Sequence, residues 1–395
     1  MNFNQFNLDA RLQTGISRAG YKTPTPIQEK AIPAALKNRD LIGTAQTGTG
    51  KTAAFVLPIL NRLLSGPRKQ TRALIVTPTR ELAEQINDSC RALSVGTGLR
   101  SATVYGGVGA NPQIQAFKRG VEIIVACPGR LLDLVSKGHA RLNHVEILVL
   151  DEADRMFEMG FLPDVRRIIK AVPAKRQTLL FSATFQKEVE QLAKKSLKNP
   201  QRISIGISQP VHTVSHALYP VPQHLKRLLL FKLLKKTSTD SVLIFTRTKH
   251  RARRLARQLG KEGYRTTSLH GNRTQGQRQR ALSGFKSGKF QIMVATDIAA
   301  RGLDVESISH VINFDMPDTA DAYIHRIGRT GRAKRTGKAF TLTNPNDEAM
   351  IRKLEKIMKH KLKRLSFDDF DYSVPAPPQQ AKRPRRSKGS SSSRS

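Results

Sequence analysis

The chain of 395 residues has no tryptophan, and aromatic residues make up only 6% of it. Platforms for stacking many bases are therefore scarce. Its two cysteines, Cys90 and Cys127, form no metal or redox spacing. That excludes a disulfide scaffold and fits a reducing compartment. Apolar runs stop short of the ~20 residues needed to cross a bilayer. The stretch from Met1 to Asp9 lacks the basic start and apolar core of a signal peptide. A cytoplasmic protein with no membrane partner is the expectation. Acid is scarce as well: 68 Lys and Arg stand against 30 Asp and Glu, a net charge of +38.

That excess is spread along the chain. Residues 1–205 carry 30 basic and 16 acidic residues, net +14; residues 206–373 carry 32 and 14, net +18; residues 374–395 carry 6 and none. Charge of this size concentrates a polyanion and speeds its encounter with the protein. It exceeds what a solubility surface needs. It does not separate RNA from DNA.

What is present is a phosphate cradle. Ala45-Gln46-Thr47-Gly48-Thr49-Gly50-Lys51-Thr52 follows a short apolar run, Asp40 to Gly43, and precedes a helix-like segment from Ala53. A strand, a glycine-rich loop and a helix N-terminus together form an anion site. Gly48 and Gly50 let backbone N–H groups approach phosphate oxygens. Lys51 supplies a point charge for the β- and γ-phosphates, and the Thr52 hydroxyl can ligate Mg²⁺. Ala45 stands where the usual pattern opens with glycine.

A second motif is acidic. The apolar run Ile147 to Leu150 reads as a buried parallel strand and ends in Asp151-Glu152-Ala153-Asp154. Ligands of open α/β sheets gather at the carboxyl ends of strands. Asp151 is placed to hold Mg²⁺, and Glu152 to accept a proton from an attacking water. An acidic helix start capping a strand–helix junction would give the same run.

Strand candidates recur throughout: Ala73–Thr77, Ala102–Tyr105, Ile123–Cys127, Ile147–Leu150 and Thr178–Ser182, then Val242–Thr246, Thr266–Leu269, Gln291–Ala295, His310–Phe314 and Ala339–Thr343. Segments such as Glu81–Leu93 and Arg251–Glu262 have helical spacing between them. The alternation predicts an α/β fold of two tandem parallel-sheet domains, residues 1–205 and 215–372. A linker is expected over 206–214, and a disordered basic tail over 373–395 with its Lys382–Lys388 cluster. The second half has no phosphate loop. It has Arg326, Arg329 and Arg332, three residues apart in a glycine-containing run. They read either as phosphate-facing charge or as fingers that stabilise charge developing on a γ-phosphate across a cleft.

Read in order, these motifs resemble a DEAD-box ATP-dependent RNA helicase over residues 3–365, with two RecA-like domains and a flavour closest to the bacterial RhlE-like group. Gly20-Tyr21-Lys22-Thr23-Pro24-Thr25-Pro26-Ile27-Gln28 is similar to the family's adenine-reading motif. The resemblance implies that Gln28 reads the adenine edge, Phe3 stacks on the ring, and Tyr21 lies beside it. It implies RNA contacts from Pro78, Thr79, Arg80, Gly106, Gly107, Pro128, Gly129 and Arg130. In the second half it implies them from Thr246, Arg247, Gly271, Gln275, Arg278 and Thr296. It assigns Ser182-Ala183-Thr184 to coupling, Gly302 and Asp304 to the nucleotide ribose side, His325 to inter-domain linkage, and Arg329 and Arg332 to the fingers. Cys127 departs from the threonine usual before Pro-Gly-Arg.

Loop Thr, Gly and Arg residues suit phosphates and sugars, so RNA would be gripped by its backbone, as single strand or short duplex. ATP and Mg²⁺ are the implied cofactors, and ribosome-assembly or RNA-decay proteins the implied partners. An RNA clamp that anneals more than it unwinds uses the same loops. A DNA-directed translocase shares the same tandem cores. The +38 charge and the second arginine-rich half speak against a small-molecule P-loop kinase.

Overall fold

Short runs such as Ala-Leu-Ile-Val at 73–76 and Ile-Leu-Val-Leu at 147–150 are apolar at every position, so a strand made of them must be covered on both faces. The computed structural model describes residues 2–45, 48–205, 214–237, 240–300, 308–330 and 337–376, and shows that coverage. Ala73, Ile75, Ile147 and Val149 enter one apolar cluster; Leu74, Val76, Leu148 and Leu150 enter another on the opposite face. The second half repeats this, with Val242 and Ile244 on one side and Leu243 and Phe245 on the other.

The first sheet comprises β1 (Leu41–Thr44), β2 (Ala73–Val76), β3 (Ser101–Val104), β4 (Ile123–Ala126), β5 (Ile147–Leu150), β6 (Gln177–Ser182) and β7 (Gln201–Ser204). Its spatial order is β3-β4-β2-β5-β6-β1-β7, all parallel. The second comprises β8 (Val214–Pro220), β9 (Val242–Phe245), β10 (Thr266–Leu269), β11 (Ile292–Ala295), β12 (His310–Asn313), β13 (Gly337–Thr343) and β14 (Lys363–Arg364). Its order is β10-β11-β9-β12-β13-β8-β14, again parallel. The two orders correspond strand for strand, which makes the halves tandem RecA-like domains.

Register aligns the strand ends. Thr44 pairs with Ser182, Leu150 with Leu180, and Val76 with Leu150. The loops at Ala45, Thr77, Asp151 and Ser182 therefore emerge together at one edge.

Three strands escaped the sequence reading. Strands β7 and β14 carry polar residues and have no apolar run; they hold by backbone pairing at sheet edges. Val214, expected to be the last linker residue, opens β8. Linker residues 206–213 and tail residues 377–395 lie outside the described residues. Ser373 to Ala376, expected to belong to the disordered tail, are described. The chain just before them packs on the second domain: Phe367 stacks on Tyr219, Lys232 and Lys236 pair with Asp369, and His224 Nε2 lies 2.7 Å from the Val374 carbonyl oxygen.

Candidate functional site

The phosphate-loop segment begins at the carboxyl end of β1, where Ala45 N–H donates to the Ser182 carbonyl at 3.1 Å. The chain turns through Gly48 and Gly50, with φ of 83° and 91°. Gly50 has to be glycine: its φ is left-handed, and a Cβ there would meet Gln28 Nε2 at 2.5 Å. The helix Lys51–Leu63 starts at once. The Lys51 side chain is buried and its ammonium folds back over the loop, donating to the Ala45 carbonyl at 2.8 Å. Thr49 and Thr52 are half-buried beside it. Gln46 and Thr47 lie outside the described residues.

Gln28 sits against this loop. Its Oε1 accepts from Thr25 N–H at 2.9 Å, and its Nε2 donates to the Gly50 carbonyl at 3.0 Å. The first bond caps the helix Pro26–Leu36, and the second ties that helix to the phosphate loop. Phe3, expected to stack on a base, is instead in the core, edge-on to Phe6 and to half-buried Tyr21 at centroid distances of 5.7 and 5.6 Å. Burial of its apolar face against two other rings outweighs exposure to a cleft.

The acidic motif follows β5. Asp151 is buried, and its Oδ1 accepts from Glu152 N–H at 3.0 Å. Burial pushes its carboxyl up to about 7; nearby Lys51 opposes the shift, and Glu152 and Asp154 add to it. Below that pH the carboxyl keeps its proton, and a cation beside it would favour the ionised form. Glu152 adopts φ 53°, ψ 52°, a left-handed conformation rare outside glycine, at the start of the helix Ala153–Glu158. Its Oε2 is buried with no hydrogen-bond partner among the described residues. Asp154 is the hub. Its Oδ2 accepts from Ala183 N–H at 3.1 Å, Thr184 N–H at 2.9 Å and Thr184 Oγ1 at 3.0 Å, while its own N–H donates to Ser182 Oγ at 3.1 Å.

No group of three or more His, Cys, Asp or Glu suited to a metal exists among the described residues. The donors at hand are the Asp151 carboxylate and the Thr52 hydroxyl, hard oxygens and few. That set fits Mg²⁺, which keeps most of its waters and shares phosphate oxygens. A cation held by Asp151 would favour its ionised form, and the Glu152 oxygen without a partner among the described residues would accept from a water.

A narrow crevice lies between the halves just beyond this motif. Arg155 lines it from the first half; Phe245, Asp297, His325, Arg326 and Arg329 line it from the second. Arg326, read from the sequence together with Arg329 and Arg332 as phosphate-facing charge or a finger, is a buried post: it donates to Asp297 Oδ1 at 2.6 Å and Oδ2 at 2.7 Å, and to Asn313 Oδ1 and the Asp315 carbonyl. Its guanidinium lies 5.0 Å from the Phe245 ring centroid. This fixes the helix Ala320–Ile327, so that His325 and buried Arg329 stand on the crevice wall. Arg332, Gly302 and Asp304 lie outside the described residues.

The loops expected to hold RNA are braced against one another. Thr79 Oγ1 caps the helix Arg80–Leu93 after buried Pro78. Arg80 lies over the Gly106–Gly107 turn, and a Cβ on Gly107 (φ 78°) would run into its guanidinium. Both Arg130 Nη atoms donate to the Val108 carbonyl at 3.2 Å, joining this turn to Pro128-Gly129. Cys127 is buried, and burial pushes its thiol up to about 12, which leaves it unreactive. In the second half Thr246 is buried, Arg247 N–H donates to Asp315 Oδ2 at 2.9 Å, Gly271 is exposed, and Thr296 is half-buried.

Gln275 and Arg278, which the resemblance assigns to RNA, meet a carboxylate of the first half in this structure. Gln275 Nε2 donates to Glu81 Oε1 at 3.3 Å, and Arg278 Nε to the same oxygen at 2.7 Å. A carboxylate of the first half, only 4% exposed, draws both donors across the domain boundary. Glu81→Ala leaves that guanidinium without its buried carboxylate, a loss of about 3 kcal/mol between the halves. Fluorophores on the two halves will move apart in this variant; an unchanged distance would rule out Glu81 as a clasp.

Sequence models of two families match the chain: DEAD/DEAH box helicase over residues 25–192, and helicase conserved C-terminal domain over residues 222–334. DEAD-box ATP-dependent RNA helicase 30 of Arabidopsis thaliana is 45% identical over 367 residues, covering 90% of this chain but 62% of the plant protein. The ATP-dependent RNA helicase CshA of Listeria monocytogenes is 41% identical over 370 residues, 93% of this chain and 71% of its own. Saccharomyces cerevisiae Dbp5 bound to RNA and ADP BeF3 superposes with a TM-score of 0.83 at 31% identity, over 93% of this chain and 96% of that one.

Proposed function

This chain belongs to the DEAD-box family of ATP-dependent RNA helicases, and from that premise we propose that it hydrolyses ATP when RNA is bound and uses the cycle to separate short RNA duplexes or remodel RNA–protein complexes. One observation carries the reading. Arg155, the residue that follows the Asp151–Asp154 motif in the first half, meets His325 and Arg329 of the second in a single crevice. A γ-phosphate there would touch both domains, so hydrolysis and inter-domain geometry become one process.

The roles follow from chemistry. Gly48, Gly50 and Lys51 cradle the phosphates. Asp151 and Thr52 would hold Mg²⁺, which supplies charge neutralisation when bound. Glu152 takes the proton of the attacking water, and Arg329 stabilises charge on the transferred group. Arg332 is proposed for the same duty on its sequence position. Asp154 passes the state of this loop to Ser182-Ala183-Thr184. Thr79, Arg80, Gly106, Gly107, Gly129, Arg130, Arg247, Gly271 and Thr296 are proposed to grip RNA phosphates and sugars. The proposed functional units are residues 1–205 and 214–376, the second extended by the aromatic packing at its end. Two buried, unpaired cysteines support a cytoplasmic setting, and no described helix is long and apolar enough to cross a membrane. Placement in the bacterial RhlE-like group, and partners in ribosome assembly or RNA decay, remain proposals that rest on the resemblance alone.

ATP turnover of the purified chain, measured without nucleic acid, with single-stranded RNA and with DNA of the same length, tests this. RNA is expected to stimulate about 100-fold or more, the scale of one charge-stabilising contact, and DNA far less. Equal stimulation by both would point to a general nucleic-acid translocase. Stimulation by neither would overturn the coupling.

A further inference from the structure

The helix Lys249–Lys261 follows β9, and the helix Arg80–Leu93 follows β2; β9 and β2 hold the same place in the two sheet orders. Their inner faces answer the same demand, with Ala252, Leu255, Ala256 and Leu259 in one and Leu82, Ala83, Ile86, Cys90 and Leu93 in the other. Their outer faces differ. The first-domain helix carries two arginines and three acids, whereas the second-domain helix carries six Lys and Arg and no acid. The fold does not require that charge, because its counterpart does without it.

The charge is also unrelieved. Arg251 turns inward to an ion pair with Asp315, and Lys249 Nζ reaches Asn272 Oδ1 at 3.0 Å. Among the described residues, Arg253, Arg254, Arg257 and Lys261 have neither an ion pair nor a side-chain hydrogen bond, and all four are exposed. Lys249, Arg253, Arg257 and Lys261 repeat every fourth residue, a stripe of about 18 Å at 1.5 Å per residue. Like charges at this spacing repel and destabilise a helix. Lys249 and Arg251 in its first turn also oppose the helix dipole. The N-terminal end of the stripe adjoins His270, which is buried, has both ring nitrogens unpartnered, and is held towards its neutral form by burial and then by Arg273, Arg253, Arg278 and His250. Arg247 and Gly271, the loops assigned to RNA above, lie at this same end. A charged stripe that costs stability and runs outward from those loops is complementary to a polyanion.

We propose that the outer face of the helix Lys249–Lys261 is a second docking surface, which holds the phosphate backbone of RNA continuing beyond the segment gripped in the inter-domain groove. The proposal rests on the reading that the chain binds RNA. The stripe matches an extended phosphate row and offers no aromatic side chain or pocket, so it reads no bases. Its task is to keep the enzyme on a long RNA while the groove opens and closes.

The test uses the full chain and the triple variant Arg253→Gln/Arg254→Gln/Arg257→Gln. Affinity is measured across a salt series for the shortest single-stranded RNA that stimulates ATP hydrolysis, and for that RNA lengthened at its 5′ end, at its 3′ end or by a flanking duplex. The wild-type chain is expected to gain affinity from lengthening on at least one side. The variant is expected to bind the short RNA within about twofold of wild type and to lose that gain. Its slope of log affinity against log salt on long RNA should fall by about 2, three phosphate contacts at ~0.7 each. The triple Arg→Lys variant keeps the charge and should keep the slope. An equal loss on short and long RNA, or no loss on either, would overturn the proposal. So would displacement of the long RNA by polyglutamate of matched charge as readily as by RNA, which would mark an acidic-protein surface. Failure of the wild-type chain to bind even the short RNA would overturn the RNA reading itself, and this proposal with it.

Discussion

Glu152→Gln will hold ATP and RNA and fail to turn over. Glutamine preserves the shape of the side chain, its burial and the backbone at φ 53°, ψ 52°. What it removes is the acceptor charge on a carboxylate whose Oε2 finds no hydrogen-bond partner among the described residues. A buried carboxylate oxygen left unpartnered is costly, and a left-handed backbone at a non-glycine residue adds about 1–3 kcal/mol of strain. The fold sustains both at the one residue that follows Asp151 at the carboxyl end of β5. Loss of a general base reduces turnover by roughly 10²–10⁴-fold. Single-turnover hydrolysis alongside nucleotide and RNA binding will separate the effects. Hydrolysis at the wild-type rate would remove Glu152 from the role of base, and an equal loss of ATP binding would recast it as a structural residue.

Asp154→Ala carries the second large effect, on stability and on coupling together. One carboxylate accepts from Ala183 N–H, Thr184 N–H and Thr184 Oγ1, and also from Arg155 N–H at 3.0 Å. Truncation leaves the Ala183 and Thr184 donors without this acceptor beside a residue that is 2% exposed, while Arg155 N–H keeps the Glu152 carbonyl at 3.0 Å. Each orphaned buried donor costs ~1–3 kcal/mol, and water at the rim can restore some of it, so the loss should be about 3 kcal/mol or more. Denaturant unfolding will measure it. Function should suffer in a set order: ATP affinity little, RNA-stimulated hydrolysis more, strand separation most, because the severed bonds join the acidic loop to Ser182-Ala183-Thr184. A variant that unfolds within 1 kcal/mol of wild type and keeps its ratio of unwinding to hydrolysis would show that this contact carries no coupling.

Much of this protein was legible before any coordinates. The central strands β2, β4, β5, β9 and β11 are apolar at every position, and a run of that kind flanked by helical segments has few other uses. The phosphate loop and the acidic motif are contiguous in sequence, because a turn, a helix start and a strand end are local structures. What the sequence did not disclose is which distant groups meet. Glu81 and Arg278 stand 197 residues apart, and nothing near either specifies the other. The same holds for Asp154 with Thr184, and for Arg326 with Asp297 and Asn313. Motif order placed Gln275 and Arg278 on RNA and Phe3 on a base. Tertiary packing gave the first two a buried carboxylate and the third a cluster of rings, since charge pairing and apolar burial are decided by whichever partner the fold brings within reach. Local sequence determined the strands, the loops and the chemical kinds of group in the site; only the folded chain decided their pairings, because burial and Coulomb energy depend on distances that connectivity does not set.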